Sequence, residues 1–300
     1  MAEILQSPGE NPADELTPGQ VLRQRILNHQ GIILGCLLLL IIILMALLAP
    51  VLAPHDPYQQ VLLNRLKPPA WMTGGSWTYP LGTDHLGRDY LSRLMYGAQI
   101  SLLIGVATAV ISGVIGVGLG LIAGYFGGRV DQLVMFLVTV KLSVPTILVA
   151  LAVVQLVGGS LQVVILVLGL LLWHQFTIVT RSVTLQIRDM DYVTSAKTLG
   201  LSTSRILFTE ILPNIANQII VVLTLTMASA IVIEAALSFL GVGVQPPLPS
   251  WGIMISEGKE HIFFRPWLVI IPGVALLALV LGINLLGDGL RDVTVPQGRS

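Results

Sequence analysis

Lys141 and Glu234 stand inside otherwise apolar stretches, alone in this among the 16 basic and 16 acidic residues of a 300-residue chain. Charge in hydrocarbon is expensive, so such groups face a bundle interior or a water-filled route, or pair with a polar group of a neighbouring subunit. Lys141 lies just before Pro145, whose ring can open a helix ladder and expose backbone carbonyls. Lys141, Pro145 and Glu234 are therefore the candidates for bordering a route through the bundle. A metal is not expected of Asp84, His85 and Asp89, because the five-residue step between the two acids does not bring them together. His174 reads as a polar packing residue.

Catalytic patterns are missing. Gly258-Lys259, the nearest approach to a phosphate-binding loop, is followed by Glu260, and there is neither H-E-x-x-H nor G-x-S-x-G. Cys36 is the single cysteine, which excludes an internal disulfide and a multi-cysteine zinc site. The chain is expected to catalyse nothing and to bind no cofactor of its own. Zero formal net charge removes the electrostatic footprint of a nucleic-acid binder.

The elements that carry these residues follow from composition. Hydrophobic side chains make up 54% of the chain and charged ones 11%, against roughly a quarter charged in a soluble domain, so too little polar material is left to cover a soluble core. Crossing a bilayer takes about 20 apolar residues. Six windows qualify: Ile32 to Ala53, Gln99 to Gly124, Gln132 to Val157, Leu161 to Thr180, Asn214 to Gly241 and Trp267 to Gly287. The first is too long for a signal segment and lacks a cleavage pattern, so it is expected to stay as a span. With the N-terminus in the cytoplasm, Arg23, Arg25, Arg129, Arg181, Arg188, Lys197, Arg205, Arg291 and Arg299 fall inside, against Arg65, Lys67, Arg88, Arg93, Lys259 and Arg265 outside. This bias sets the expected orientation, with both termini inside. The first residues, with Pro8, Pro12 and Pro18, read as a disordered tail.

Within the second window Ser112, Gly116, Gly120 and Gly124 recur every four residues, a row that lets another helix approach closely. Between the first two spans, Thr83 or Asp84 can cap a helix, and Asp84/Arg88 and Asp89/Arg93 are acid-before-base pairs four apart. Leu86, Tyr90, Leu91, Leu94 and Met95 share its face, which predicts an amphipathic helix on the membrane surface. The polar stretch from Arg181 to Pro213 reads as two short helices joined at Gly200, with Ser202 or Thr203 as a fresh cap and Pro213 opening the fifth span. An ordered projection of that length is expected to dock a partner protein.

Thr194-Ser195-Ala196, Lys197, Gly200 and then Leu212-Pro213 resemble the cytoplasmic EAA loop of permease subunits in bacterial ABC importers. Three further stretches keep the order of the dipeptide/oligopeptide/nickel branch: Leu81-Gly82-Thr83-Asp84 with Gly87-Arg88-Asp89, Leu237-Ser238-Phe239-Leu240-Gly241 with Pro249-Ser250-Trp251-Gly252, and Leu286-Gly287-Asp288-Gly289-Leu290-Arg291-Asp292. The whole, from Ile32 to Asp292, resembles that branch's shorter permease. Thr194 stands where the loop's usual glutamate would be, Glu210 replaces a usual isoleucine, and Thr139 a usual acid. Glu234-Ala235-Ala236 lies within a span and is not the loop.

The resemblance implies an all-α membrane protein with the six-helix type I importer permease fold, a periplasmic surface helix and a coupling-helix loop over residues 181–213. Residues 1–30 and 293–300 would be cytoplasmic tails, 31–98 the first span with its periplasmic segment, and 99–292 the five-helix core. It implies a second permease forming a shared path, two ATPase subunits that carry ATP and Mg and dock at Thr194, Ser195, Ala196, Lys197, Gly200, Leu212 and Pro213, and an external solute-binding protein. Peptides are the first expectation for cargo, with nickel chelates or another small solute after them, and the bacterial inner membrane is the location. The rival class, a secondary transporter driven by an ion gradient, usually shows internal repeats and several midplane carboxylates; here only Glu234 qualifies.

Overall fold

The computed structural model describes residues 27–294, and the expected tails fall almost wholly outside them. Nine helices of eight residues or more organise the chain among the described residues: α1 Gln30–Leu47, α2 Tyr90–Phe126, α3 Gly128–Leu142, α4 Thr146–Val157, α5 Leu161–Ile187, α6 Asp191–Thr198, α7 Thr203–Phe239, α8 Trp251–Gly258 and α9 Trp267–Thr294. Five of them (α1, α2, α5, α7 and α9) are long and apolar enough to cross a membrane; the α3–α4 pair makes a sixth if counted as one span.

That pair falls in the third window, where Pro145 is expected to open the helix ladder. The chain bends by 81° between α3 and α4. Pro145 sits at the N-cap of α4 with extended ψ; it removes a donor from the ladder and biases Val144 away from helix.

The α2–α5 pair is the most extensive helix contact. Small residues allow it: Ser112 Oγ donates to the Gly169 carbonyl at 2.8 Å, and Thr177 Oγ1 to the Gly116 carbonyl at 3.1 Å. A Cβ on Gly120 would stand 2.6 Å from Thr180 Cβ, and one on Gly124 the same distance from Thr184 Cβ. Lipid supplies no hydrophobic drive between helices, so backbone contact of this kind supplies the attraction. With 37 residues, α2 is roughly 55 Å long at 1.5 Å per residue, well beyond a hydrocarbon core of about 30 Å. It therefore links the two ends of the bundle.

The expected surface helix before the second span does not form. Residues 81–89 are a folded loop, closed by Tyr90 N–H to the Gly82 carbonyl at 3.1 Å and Leu66 N–H to the Asp84 carbonyl at 2.9 Å. Gly82 and Gly87 take positive φ values of 79° and 74°, which interrupts any helix there. The cap is Asp89, whose Oδ2 accepts from Ser92 N–H at 2.8 Å, and α2 runs from there without a break into the span. Asp84 and Arg88 do pair, at 2.6 Å, but buried rather than solvated. Arg93 ignores Asp89 and reaches Glu257 on α8 at 2.9 Å, as Arg88 does at 3.1 Å.

Around this cluster α8 is clamped to the bundle. Trp251, fully buried, donates Nε1–H to the Leu94 carbonyl at 2.9 Å, and Tyr90 donates its hydroxyl to the Leu268 carbonyl at 2.5 Å. At the other end of the bundle, Pro213 does not begin a new helix. α7 starts at Thr203, passes through a π-helical turn over Ile206–Ile211 and a 3-10 turn over Leu212–Ile215, then continues. The wider and tighter turns absorb the donor that proline lacks.

Candidate functional site

Helix α6 and the turn after it project from the end of the bundle opposite α8. The helix has two faces. Val193 and Ala196 point inward onto Leu121, Ile187, Ile206, Leu207, Ile211 and Ile215, whereas Thr194, Ser195 and Lys197 are exposed. Gly200 closes the helix with φ +78°: its N–H bonds to the Lys197 carbonyl, and Leu201 N–H reaches back to the Ala196 carbonyl at 3.1 Å. This paired C-terminal closure needs a left-handed residue at that position. Leu212 packs against the same core, while Pro213 is exposed.

Polar tethers join this loop to the long helices. Lys197 Nζ donates to the Arg188 carbonyl at 3.1 Å and lies 5.2 Å from the centre of the Tyr125 ring. Arg188 Nη1 donates to the Gly124 carbonyl at 3.0 Å, and Arg181 forms a bidentate pair with Asp131 on α3. Displacing α6 therefore pulls on the ends of α2 and α5 together. Around α6 the loop exposes Met190, Tyr192, Leu199 (79% exposed) and Phe208. Apolar groups set in a polar rim are a composition common to protein-docking surfaces.

The three path candidates are not brought together. Lys141 Nζ donates to Thr146 Oγ1 at 2.8 Å, tying α3 to α4 across the bend beside exposed Pro145. Glu234 is 1% exposed and sealed between α7 and α8. Its Oε1 accepts from Ser238 Oγ at 2.7 Å and Ser250 Oγ at 3.0 Å, and it has no cationic partner among the described residues. Ser250 also caps α8 by accepting from Ile253 N–H. Glu234 thus joins α7 to α8 rather than facing an opening. His174 is buried, with Nδ1 3.2 Å from the Leu171 carbonyl oxygen.

Two features escaped the residue pattern. One is Glu257, the shared acceptor for Arg88 and Arg93, which lies more than 160 residues from them in sequence. Its carboxylate and ligand atoms of Asp84 and His85 lie within 4.8 Å of one another, but the two arginines already occupy both acids, so a divalent cation would have to displace them. The other is an open cleft of 670 Å³ between α5, α7 and α9, walled mostly by aliphatic side chains and carrying Gln175, Ser229 and Asn284. Uncharged carboxamides inside apolar windows were the one available signal.

The bent third span, the tightly paired α2 and α5 and the tethered loop between α5 and α7 make up the type I importer permease fold. The solved inward-facing structure of the MetNI methionine ABC transporter shares this fold, with a TM-score of 0.56 at 19% identity, covering 68% of this chain and 97% of that one. Residues 116–298 match the family described as binding-protein-dependent transport system inner membrane component, and residues 17–69 match the N-terminal TM domain of oligopeptide transport permease C. The di/tripeptide transport system permease of Pseudomonas aeruginosa is 42% identical over 91% of this chain and 90% of its own length. The dipeptide transport system permease of Haemophilus influenzae is 40% identical over 90% and 92%, and the oligopeptide transport system permease of Bacillus subtilis 38% over 92% and 88%. The chain belongs to the binding-protein-dependent transport system inner membrane component family, as a multi-pass membrane subunit of an ABC importer rather than an ion-driven transporter working alone.

Proposed function

We propose that this chain is one of two membrane subunits of an ATP-driven importer of di- or oligopeptides in the bacterial inner membrane. Its relatives carry peptide-transport names at about 40% identity along nearly their whole length, which favours peptides over nickel chelates. Both termini and α6 face the cytoplasm in this reading, following the basic residues around the loop. Two ATPase subunits, which hold the ATP and Mg, dock on the loop over residues 181–213; a solute-binding protein delivers cargo at the opposite end.

The observation that carries the reading is the set of exposed apolar side chains around α6, on a helix tied to both α2 and α5. A push on α6 moves Val193 and Ala196 against the ends of those helices. The glycine-lined contact lets α2 and α5 move as one body, and α2 carries the motion to α8 through Trp251 and the Arg93–Glu257 pair. Glu234 holds the other side of α8 to α7 as a positioning residue.

Gly200 tests the coupling role. A Cβ there meets no atom within 4 Å, so valine strains the backbone alone, by about 1–3 kcal/mol. Gly200→Val is expected to lower peptide uptake and ATPase co-purification, while Gly200→Asn, which tolerates a left-handed turn, retains most of both. Normal uptake and ATPase recovery with valine would remove α6 as the coupling element.

A further inference from the structure

Gln175, Ser229 and Asn284 lie well inside α5, α7 and α9, and all three line an open cleft of about 670 Å³ between these helices. Their polar atoms are not equivalent. Ser229 Oγ donates to the Leu225 carbonyl at 2.9 Å and is satisfied within its own helix. Gln175 Oε1 accepts from Thr226 Oγ1 at 2.9 Å, and Thr226 is fully buried. Committing the oxygen to Thr226 leaves the Nε2 amide, with its two N–H donors, as the free end of the carboxamide. Neither Gln175 Nε2 nor the Asn284 carboxamide has a protein partner among the described residues, and both residues border the cleft. Unmade hydrogen bonds at membrane depth are costly, so groups of this kind are kept where water or a solute meets them.

We propose that this cleft is a solute-contact site on the import path, in which Gln175 and Asn284 hydrogen-bond the carbonyl and carboxylate oxygens of a peptide in transit, with Thr226 as the residue that orients Gln175. The assignment rests on the peptide reading above. Neutral amide donors suit a site of passage, since they recognise every peptide's backbone yet bind weakly enough to release it. The walls of Ile178, Val222, Leu225 and Val280 accept varied side chains without selecting one.

The test uses the assembled transporter in cells lacking the native gene, with labelled alanyl-alanine as the probe. Gln175→Leu and Asn284→Leu are expected to raise the KM for uptake at least tenfold with co-purification of the second permease and the ATPases unchanged. Thr226→Val is expected to give an intermediate loss of about three- to fivefold, reversed by Thr226→Ser, which keeps the hydroxyl. Uptake within twofold of the unaltered protein for both leucine variants overturns the site and leaves the peptide reading standing. Loss of the second permease from the complex in Gln175→Leu overturns it too, because the cleft then holds a partner side chain. No peptide uptake by the unaltered transporter sinks the peptide reading, and the site with it.

Discussion

Replacing Glu257 with alanine removes the acceptor shared by two of the most deeply buried cations in the molecule. The side chains of Arg88 and Arg93 are 3% and 1% exposed; they donate to Glu257 at 3.1 and 2.9 Å, and Glu257 itself is 17% exposed. Breaking a buried pair costs about 3–5 kcal/mol, because the surviving charge stays buried. Asp84 remains at 2.6 Å from Arg88 and 3.5 Å from Arg93, which offsets part of the loss. The lower limit, about 3 kcal/mol, is therefore the expected cost of Glu257→Ala. Glu257→Gln keeps the shape and one acceptor and is expected to cost about half as much. In detergent-solubilised transporter, 3 kcal/mol corresponds to a fall in Tm of roughly 6–12 °C by the scaling of domains of 150–250 residues. Glu260→Ala, a neighbour that pairs with neither arginine, is the control. A Tm for Glu257→Ala within about 1 °C of the unaltered protein would refute the clamp of α8 onto α2.

Two further outcomes probe the bundle. Gly120→Leu is expected to cost at least about 1–3 kcal/mol and to lower the yield of folded transporter, since its Cβ alone would sit 2.6 Å from Thr180; Gly118→Leu, with nothing within 4 Å, is expected to be near neutral on the same thermal melt. Glu234→Gln keeps an acceptor for Ser238 and Ser250 and is expected to retain uptake. Glu234→Ala leaves the O–H donors of both buried serines without an acceptor, at about 1–3 kcal/mol each, and is expected to lose folded protein; a glutamine variant that folds normally but stops transport would make the charge itself essential.

Which of these features the residues announced depends on whether the physics was local. Apolar windows mark spans wherever they occur, and the four-residue spacing from Ser112 to Gly124 is a property of one helix, so both were readable. Pro145 signalled a disturbance, but a bend of 81° depends on what packs on either side. The stretch around Asp84, Arg88, Asp89 and Arg93 misled because acid-base pairs four apart look the same on a solvated helix and in a buried loop. What separated the two was Glu257, brought in by the fold, together with the left-handed turns at Gly82 and Gly87. Glu234 announced itself by its charge, yet its burial against Ser250 needed α8 to fold back. Gln175 and Asn284 carry no charge and passed as ordinary span residues.

The most direct measurement is uptake of labelled alanyl-alanine into proteoliposomes. One preparation contains this chain with its co-purified permease, ATPases and solute-binding protein; the other contains this chain alone. The account predicts uptake in the first preparation that requires enclosed or added ATP on the side of α6 and none in the second under any ion gradient. Uptake by the chain alone, driven by a proton or sodium gradient and indifferent to ATP, would contradict it.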